Sequence, residues 1–187
     1  MMNLYEIMVA VAASLDDTSI TYMMVGAFAS NFYGVPRSTM DGDFVLMVSE
    51  FPIANLGAAL GPSFHIDPQS HIETFTMGTY YALVHLESRL SVDLFLHEND
   101  PHGAASFSRR IQVDFENTKV FIPTAEDVVI TKLRWSQGGR RLKDLDDARG
   151  VLAVQAGRLD MAYIRHWCDI HQTLDVLESQ LLRARKT

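Results

Sequence analysis

A chain of 187 residues with 48% hydrophobic residues has enough apolar content to bury a core, so extended disorder is excluded as its main character. A formal net charge of −7 argues against broad, nonspecific nucleic-acid binding, although a local basic patch remains compatible with it. One cysteine, Cys168, rules out an intrachain disulfide and points to a reducing, cytoplasmic setting.

Residues 3–15 read as an amphipathic helix. They lack the basic flank of a signal peptide and carry Glu6 early, and no apolar run is long enough to span a bilayer. Residues 19–26 form a β-rich apolar run stopped by Gly26, and 27–34 a short helix closed by Gly34. Strand 43–48 is apolar enough to lie inside a sheet covered on both faces, and a helix over 51–60 follows. Strands are expected at 71–78, 79–87, 90–97, 110–115 and 118–123. Beyond Thr124 the pattern becomes helical. Thr124 and Asp127 form a capping-box pattern at the start of 124–137, Gly138 and Gly139 interrupt the chain, and helices follow at 140–155, 160–171 and 173–186. The expected architecture is α/β (α+β), with a mixed sheet flanked by helices in 1–123 and a helical C-terminal region in 124–187 packed on it.

Asp41 and Asp43, two apart at a strand start, send their carboxylates to one face. Two charges held that close repel unless a cation sits between them, and a hard divalent ion with oxygen ligands relieves the repulsion. The spacing alone also admits a capped polar turn. Three features favour the ion. Gly26 and Ala27 stand at a strand-to-helix junction, where backbone N–H groups accept an anion. Asp93 is an isolated charge within the otherwise apolar SVDLFL. Arg37, Ser38 and Thr39 supply donors just ahead of the acidic pair.

With these residues the run VGAFASNFYGVPRSTMDGDFVL resembles the nucleotidyltransferase superfamily typified by DNA polymerase β. There a Gly-Gly or Gly-Ser turn precedes Asp-x-Asp, and a third carboxylate follows on a later strand. Gly34, Pro36, Arg37, Thr39, Asp41 and Asp43 are similar to the branch that includes AbiEii-like toxins, as are Lys132 and the run Lys143, Asp144, Asp147 downstream.

The resemblance implies an enzyme moving an NMP from an NTP to an acceptor hydroxyl on tRNA, a protein or a small molecule. It implies two Mg²⁺ ions on Asp41, Asp43 and Asp93, and Asp93 helping to deprotonate the nucleophile. Gly26 and Ala27 would cradle phosphates, and Lys132 would neutralise triphosphate charge. A toxin role with a cognate antitoxin is a further implication, and the rival reading is a noncatalytic nucleotide-binding or regulatory module that keeps the fold, favoured by Ala27 and Gly42. Ala27 and Gly42 depart from the pattern, and Gly42 is expected to forfeit packing and loosen its strand.

Residues 132–143 hold five basic side chains and no acidic one, read either as a solvated face or as a triphosphate or RNA surface. Asp144 and Asp147 share a helix face, to pair with Arg140 or Arg141 or to orient Lys132 or the acceptor. His166, Cys168 and His171 have spacing unsuited to zinc and are expected in ordinary packing. Met23, Met24 and Met47 are expected as core fillers.

Overall fold

The computed structural model describes residues 2–48, 50–73, 78–97, 100–136, 138 and 140–184. Helix α1 (Leu4–Asp17) starts at a reciprocal cap between Asn3 and Glu6, and it buries Ile7, Met8, Val11 and Leu15. It leads into β1 (Tyr22–Met24), α2 (Gly26–Tyr33), β2 (Asp41–Leu46), α3 (Ile53–Leu60), β3 (Phe64–Ile66), β4 (His71–Ile72), β5 (Thr79–His85) and β6 (Ser91–Leu96). Helix α4 (Pro101–Arg109) and the hairpin β7 (Ile111–Phe115) and β8 (Thr118–Ile122) come next. Helices α5 (Ala125–Trp135), α6 (Leu142–Val154), α7 (Met161–Ile170) and α8 (Leu174–Ala184) complete the chain. Among the described residues no helix is long and apolar enough to cross a membrane.

The main sheet runs β1-β2-β6-β5-β3, with β4 added on β5, and β7-β8 form a separate pair. Strands β2 and β6 are parallel and set Asp43 beside Asp93, while β1 and β5 flank them antiparallel. The mixed sheet flanked by helices is the expected fold class.

Strand alternation assigns two roles to β2 and β6. Phe44, Leu46, Val92 and Leu94 point to the side covered by α1 and α3 and are wholly buried. Asp41, Asp43, Val45, Asp93 and Phe95 point to the opposite side and are only partly covered. One sheet face therefore carries the main core, and the other carries the acidic side chains beside a smaller apolar cluster of Met23, Val25, Phe107 and Val45.

Several expectations need correction. Strand β2 begins at Asp41 rather than at residue 43, because its backbone joins the β6 ladder at that point. Met47 consequently falls outside the strand and is 42% exposed, whereas Met23 and Met24 are buried as expected. The strand expected at 19–26 is confined to Tyr22–Met24. Of the strand expected at 71–78, His71–Ile72 is the part found as strand among the described residues, and residues 74–77 lie outside them. Gly139 of the expected break and the end of the helix expected at 173–186 also lie outside them. The carboxylate of Asp127 does not close a reciprocal cap. Its backbone N–H donates to the Thr124 hydroxyl, which in turn donates to Asp127 Oδ2.

Gly42 does not loosen its strand. A Cβ there would lie 1.9 Å from Sδ of Met8, so α1 fills the space that a side chain would take. Helix α4 and strand β3 went unread in the sequence. The first has a legible signal, Asp100 capping Gly103 N–H with Pro101 in the first turn, but its polar composition hides any periodicity. The second is too short to show alternation.

Candidate active site

The acidic site is built on the two central parallel strands. Asp41 and Asp43 leave the same face of β2, and Asp93 leaves the matching face of β6 at the register position of Asp43. All three line one cavity with Gly26, Ala27, Arg37, Lys132 and Lys143. The Thr39 hydroxyl donates to Oδ1 of Asp41 (2.6 Å), fixing that carboxylate from the preceding loop.

The local sequence at Gly26 has a steric reason. Gly26 adopts φ +61°, and a Cβ there would stand 1.8 Å from Oδ2 of Asp43. Only glycine combines that backbone with that neighbour. Helix α2 starts at this point with no side-chain cap on its first turn, and Val25 N–H donates to the Asp43 carbonyl (2.8 Å). The uncapped N-terminus of α2 is thus clamped against the acidic strand.

The electrostatics follow from crowding. Burial, then the charges of Asp41 and Asp93, push the Asp43 carboxyl up to about 7, with Lys132 and Lys143 opposing. Burial and then Asp41 push Asp93 up to about 6, against the pull of His71. Mutually repelling oxygen donors on one face fit a hard divalent cation. Among the described residues no three such groups already stand around a common ion position.

Two cations expected near phosphate are tied into a buried network. Arg37 donates from Nε (2.6 Å) and Nη2 (2.9 Å) to the two oxygens of Asp147, the paired geometry that suits guanidinium and carboxylate. The Lys132 ammonium, 5% exposed, lies 3.0 Å from Asp144 and 2.8 Å from Asp147. Burial raises Asp147, but the Arg37 hydrogen bond and the Lys132 charge outweigh it and hold the carboxyl below its ordinary value. Arg141 Nε is 2.9 Å from Oδ2 of Asp144 as an ion pair, without hydrogen-bond alignment. Asp144 and Asp147 therefore both orient Lys132, Asp144 pairing with Arg141 and Asp147 with Arg37, and among the described residues neither pairs with Arg140.

Ser38 is exposed, away from the cavity lining, and its carbonyl accepts from Arg37 Nη1. Lys143 is exposed at the cavity and is the cation there that forms no salt bridge among the described residues. Sequence reading missed Glu73, Phe95, Trp135 and Arg141 as lining residues. Glu73 stands among His71, Thr74 and Thr76, so it lacked the contrast of a charge in an apolar run that marked Asp93. Phe95 and Trp135 had no signal either, because aromatic residues in strands and helices ordinarily fill cores.

Cys168 is buried in the core, and His171 stacks on Trp167 and meets the His102 ring edge-on.

No family model matches the chain, and no curated protein matches it in sequence. Solved structures do match in fold. An antigenic nucleotidyltransferase-like protein from Paracoccidioides brasiliensis superposes with TM-score 0.58 at 20% identity, covering 95% of this chain and 91% of that one. ANT(2")-Ia, solved in complex with adenylyl-2"-tobramycin, superposes with TM-score 0.61 at 10% identity, covering 90% and 96%. A protein from H. pylori assigned as a nucleotidyltransferase superposes with TM-score 0.56 at 18% identity, covering 96% and 80%. The chain has a nucleotidyltransferase-like fold.

Proposed function

We propose that the protein is a Mg²⁺-dependent nucleotidyltransferase that moves an NMP from an NTP to an acceptor hydroxyl. The observation that carries this reading is the convergence of Asp41, Asp43 and Asp93 in one cavity with the uncapped start of α2.

Bound Mg²⁺ would supply Lewis-acid stabilisation of charge on the phosphoryl oxygens, held by Asp41, Asp43 and Asp93. The backbone at Gly26 and Ala27 receives the terminal phosphates, where α2 presents its N–H groups. Lys143 reaches the same anion from the rim, and Lys132 adds charge from behind while Asp144 and Asp147 hold it in place. Asp93, its carboxyl raised toward neutrality, accepts the proton of the acceptor hydroxyl. The acceptor oxygen forms its bond to the α-phosphorus as the α–β phosphoanhydride breaks, and pyrophosphate leaves.

The packing of Met8 over Gly42 removes one argument for a noncatalytic nucleotide-binding module, since the glycine is matched to its core. Acceptors to be distinguished are tRNA, protein and a small molecule such as an aminoglycoside or lincosamide. The test incubates the protein with α-labelled NTPs, Mg²⁺ and each acceptor pool. One pool becomes labelled, and Asp41→Ala and Asp93→Ala abolish the label. NTP binding with no transfer to any pool would establish the noncatalytic module instead. A toxin role is tested by expression in a bacterial host: the wild type arrests growth and Asp41→Ala does not.

A further inference from the structure

Helix α2 lines the acidic cavity with its first residues, Gly26 and Ala27, and grips the loop before β2 from its last turn. The grip is the side-chain amide of Asn31, which makes two hydrogen bonds to one backbone position. Its Nδ2 donates to the Arg37 carbonyl (2.8 Å), and its Oδ1 accepts from the Arg37 N–H (3.0 Å). An amide paired in this way takes the place of a neighbouring strand for a stretch that belongs to no sheet. Residues 35–39 are that stretch, and Val35, Pro36 and Ser38 within it are exposed. Among the described residues, the two bonds from Asn31 are the ones that reach its backbone from outside.

The grip has a firm base. The Tyr33 hydroxyl donates to the Pro123 carbonyl (2.9 Å), and Gln155 Nε2 donates to the Tyr33 carbonyl (2.8 Å). The end of α2 is thereby tied to the segment before α5 and to the end of α6. Gly34 closes on α6 so tightly that a Cβ there would stand 2.8 Å from the Val151 nitrogen.

Two arms leave the residue that Asn31 holds. The Arg37 side chain runs to Asp147, which in turn holds Lys132. The backbone runs two residues on to Thr39, whose hydroxyl donates to Oδ1 of Asp41 (2.6 Å). A hydroxyl orients a carboxylate only if its own backbone is fixed. Pro36 fixes its own φ and nothing beyond it, so the amide of Asn31 supplies the missing restraint.

We infer that Asn31 is a positioning residue for the proposed reaction: by holding the Arg37 backbone it sets, through Thr39, the direction in which Asp41 presents its carboxylate to the metal. The inference rests on the transferase reading above. Asn31 is absent from the cavity lining and acts only through the residues it holds. Groups that orient metal ligands are worth about 10–100-fold in metal affinity. A tether serving the fold alone would lower the melting temperature and leave the affinity of the folded protein for metal unchanged.

The test measures Mn²⁺ binding to the full chain from the electron paramagnetic resonance of the free ion, alongside thermal unfolding. Mn²⁺ favours the same oxygen ligands as Mg²⁺. Asn31→Leu, which removes both hydrogen bonds, weakens Mn²⁺ binding by about tenfold or more, and so does Thr39→Val. The double variant binds no more weakly than Thr39→Val alone, because the two residues act along one line. Asn31→Ala gives the same result should Asn31→Leu fail to fold. Wild-type Mn²⁺ affinity in a folded Asn31 variant or in Thr39→Val, or a full further loss in the double variant, overturns the inference and leaves labelled transfer by the wild type intact. A wild type that binds no more Mn²⁺ than Asp41→Ala overturns it together with the metal-dependent transferase reading.

Discussion

Gly26 and Asp43 occupy neighbouring space so closely that a methyl group on the first would stand 1.8 Å from a carboxylate oxygen of the second. The positive φ of Gly26 adds a second reason against any side chain. Gly26→Ala is expected to destabilise the fold by about 1–3 kcal/mol, the usual cost of a strained backbone position. Displacement of the carboxylate is expected to lower the proposed nucleotidyl transfer by about two orders of magnitude, as a misplacement of roughly 1 Å does elsewhere. Thermal unfolding and labelled-NTP transfer check the two effects separately. A variant with wild-type stability and rate would mean that Asp43 moves aside without consequence.

Lys132, Asp144, Asp147 and Arg37 form one buried charge cluster tying α5, α6 and the loop before β2 together. Removing Lys132 leaves Asp147 on Arg37 and Asp144 on Arg141, each with one buried cation fewer. Lys132→Met leaves two buried carboxylates short of a cation and is expected to cost about 3–5 kcal/mol in urea unfolding. Combining it with Asp144→Leu costs less than the sum of the two single changes, because each single change already removes the Lys132–Asp144 ion pair. Strict additivity would show that the two residues do not interact.

The raised carboxyls make metal-free stability depend on pH with a definite sign. In the folded chain Asp43 titrates near 7 and Asp93 near 6, against an ordinary value of 3.8, so the folded state holds its protons more tightly than the unfolded one. Their stabilising contribution is full below the ordinary value and is lost as pH rises through about 6 and about 7. The melting temperature of the metal-free protein should therefore carry a declining component across that window. Asp43→Asn removes much of it, so this variant should melt higher than the wild type at about pH 8 without metal. Added Mg²⁺ should stabilise the wild type there and the variant far less. A variant that melts lower than the wild type under those conditions would contradict the crowding described at the site.

Gly42 and Met8 offer a packing test remote from the polar face. A Cβ at Gly42 meets the thioether end of Met8, which is flexible but fully buried. Gly42→Ala is expected to cost about 1–3 kcal/mol from overpacking. In a Met8→Ala background the same change should cost less or turn favourable, a coupling readable from a double-mutant cycle in denaturant. Equal costs in both backgrounds would place the strain elsewhere.

Sequence alone determined the helices and strands with strong periodicity, the side-sharing of Asp41 and Asp43, and the oddity of Asp93 in an apolar run. These are local properties: period-two alternation, a turn glycine and a charge out of place are visible without neighbours. Only the tertiary structure decided the rest, since it depends on contacts between distant segments. The parallel pairing of β2 with β6 set Asp93 beside Asp43. The fold of α6 against α5 carried Asp144 and Asp147 to Lys132 and Arg37, so that two cations legible as phosphate donors are first of all partners of carboxylates. Gly42 read as a loss of packing because its filler, Met8, belongs to a helix more than thirty residues upstream.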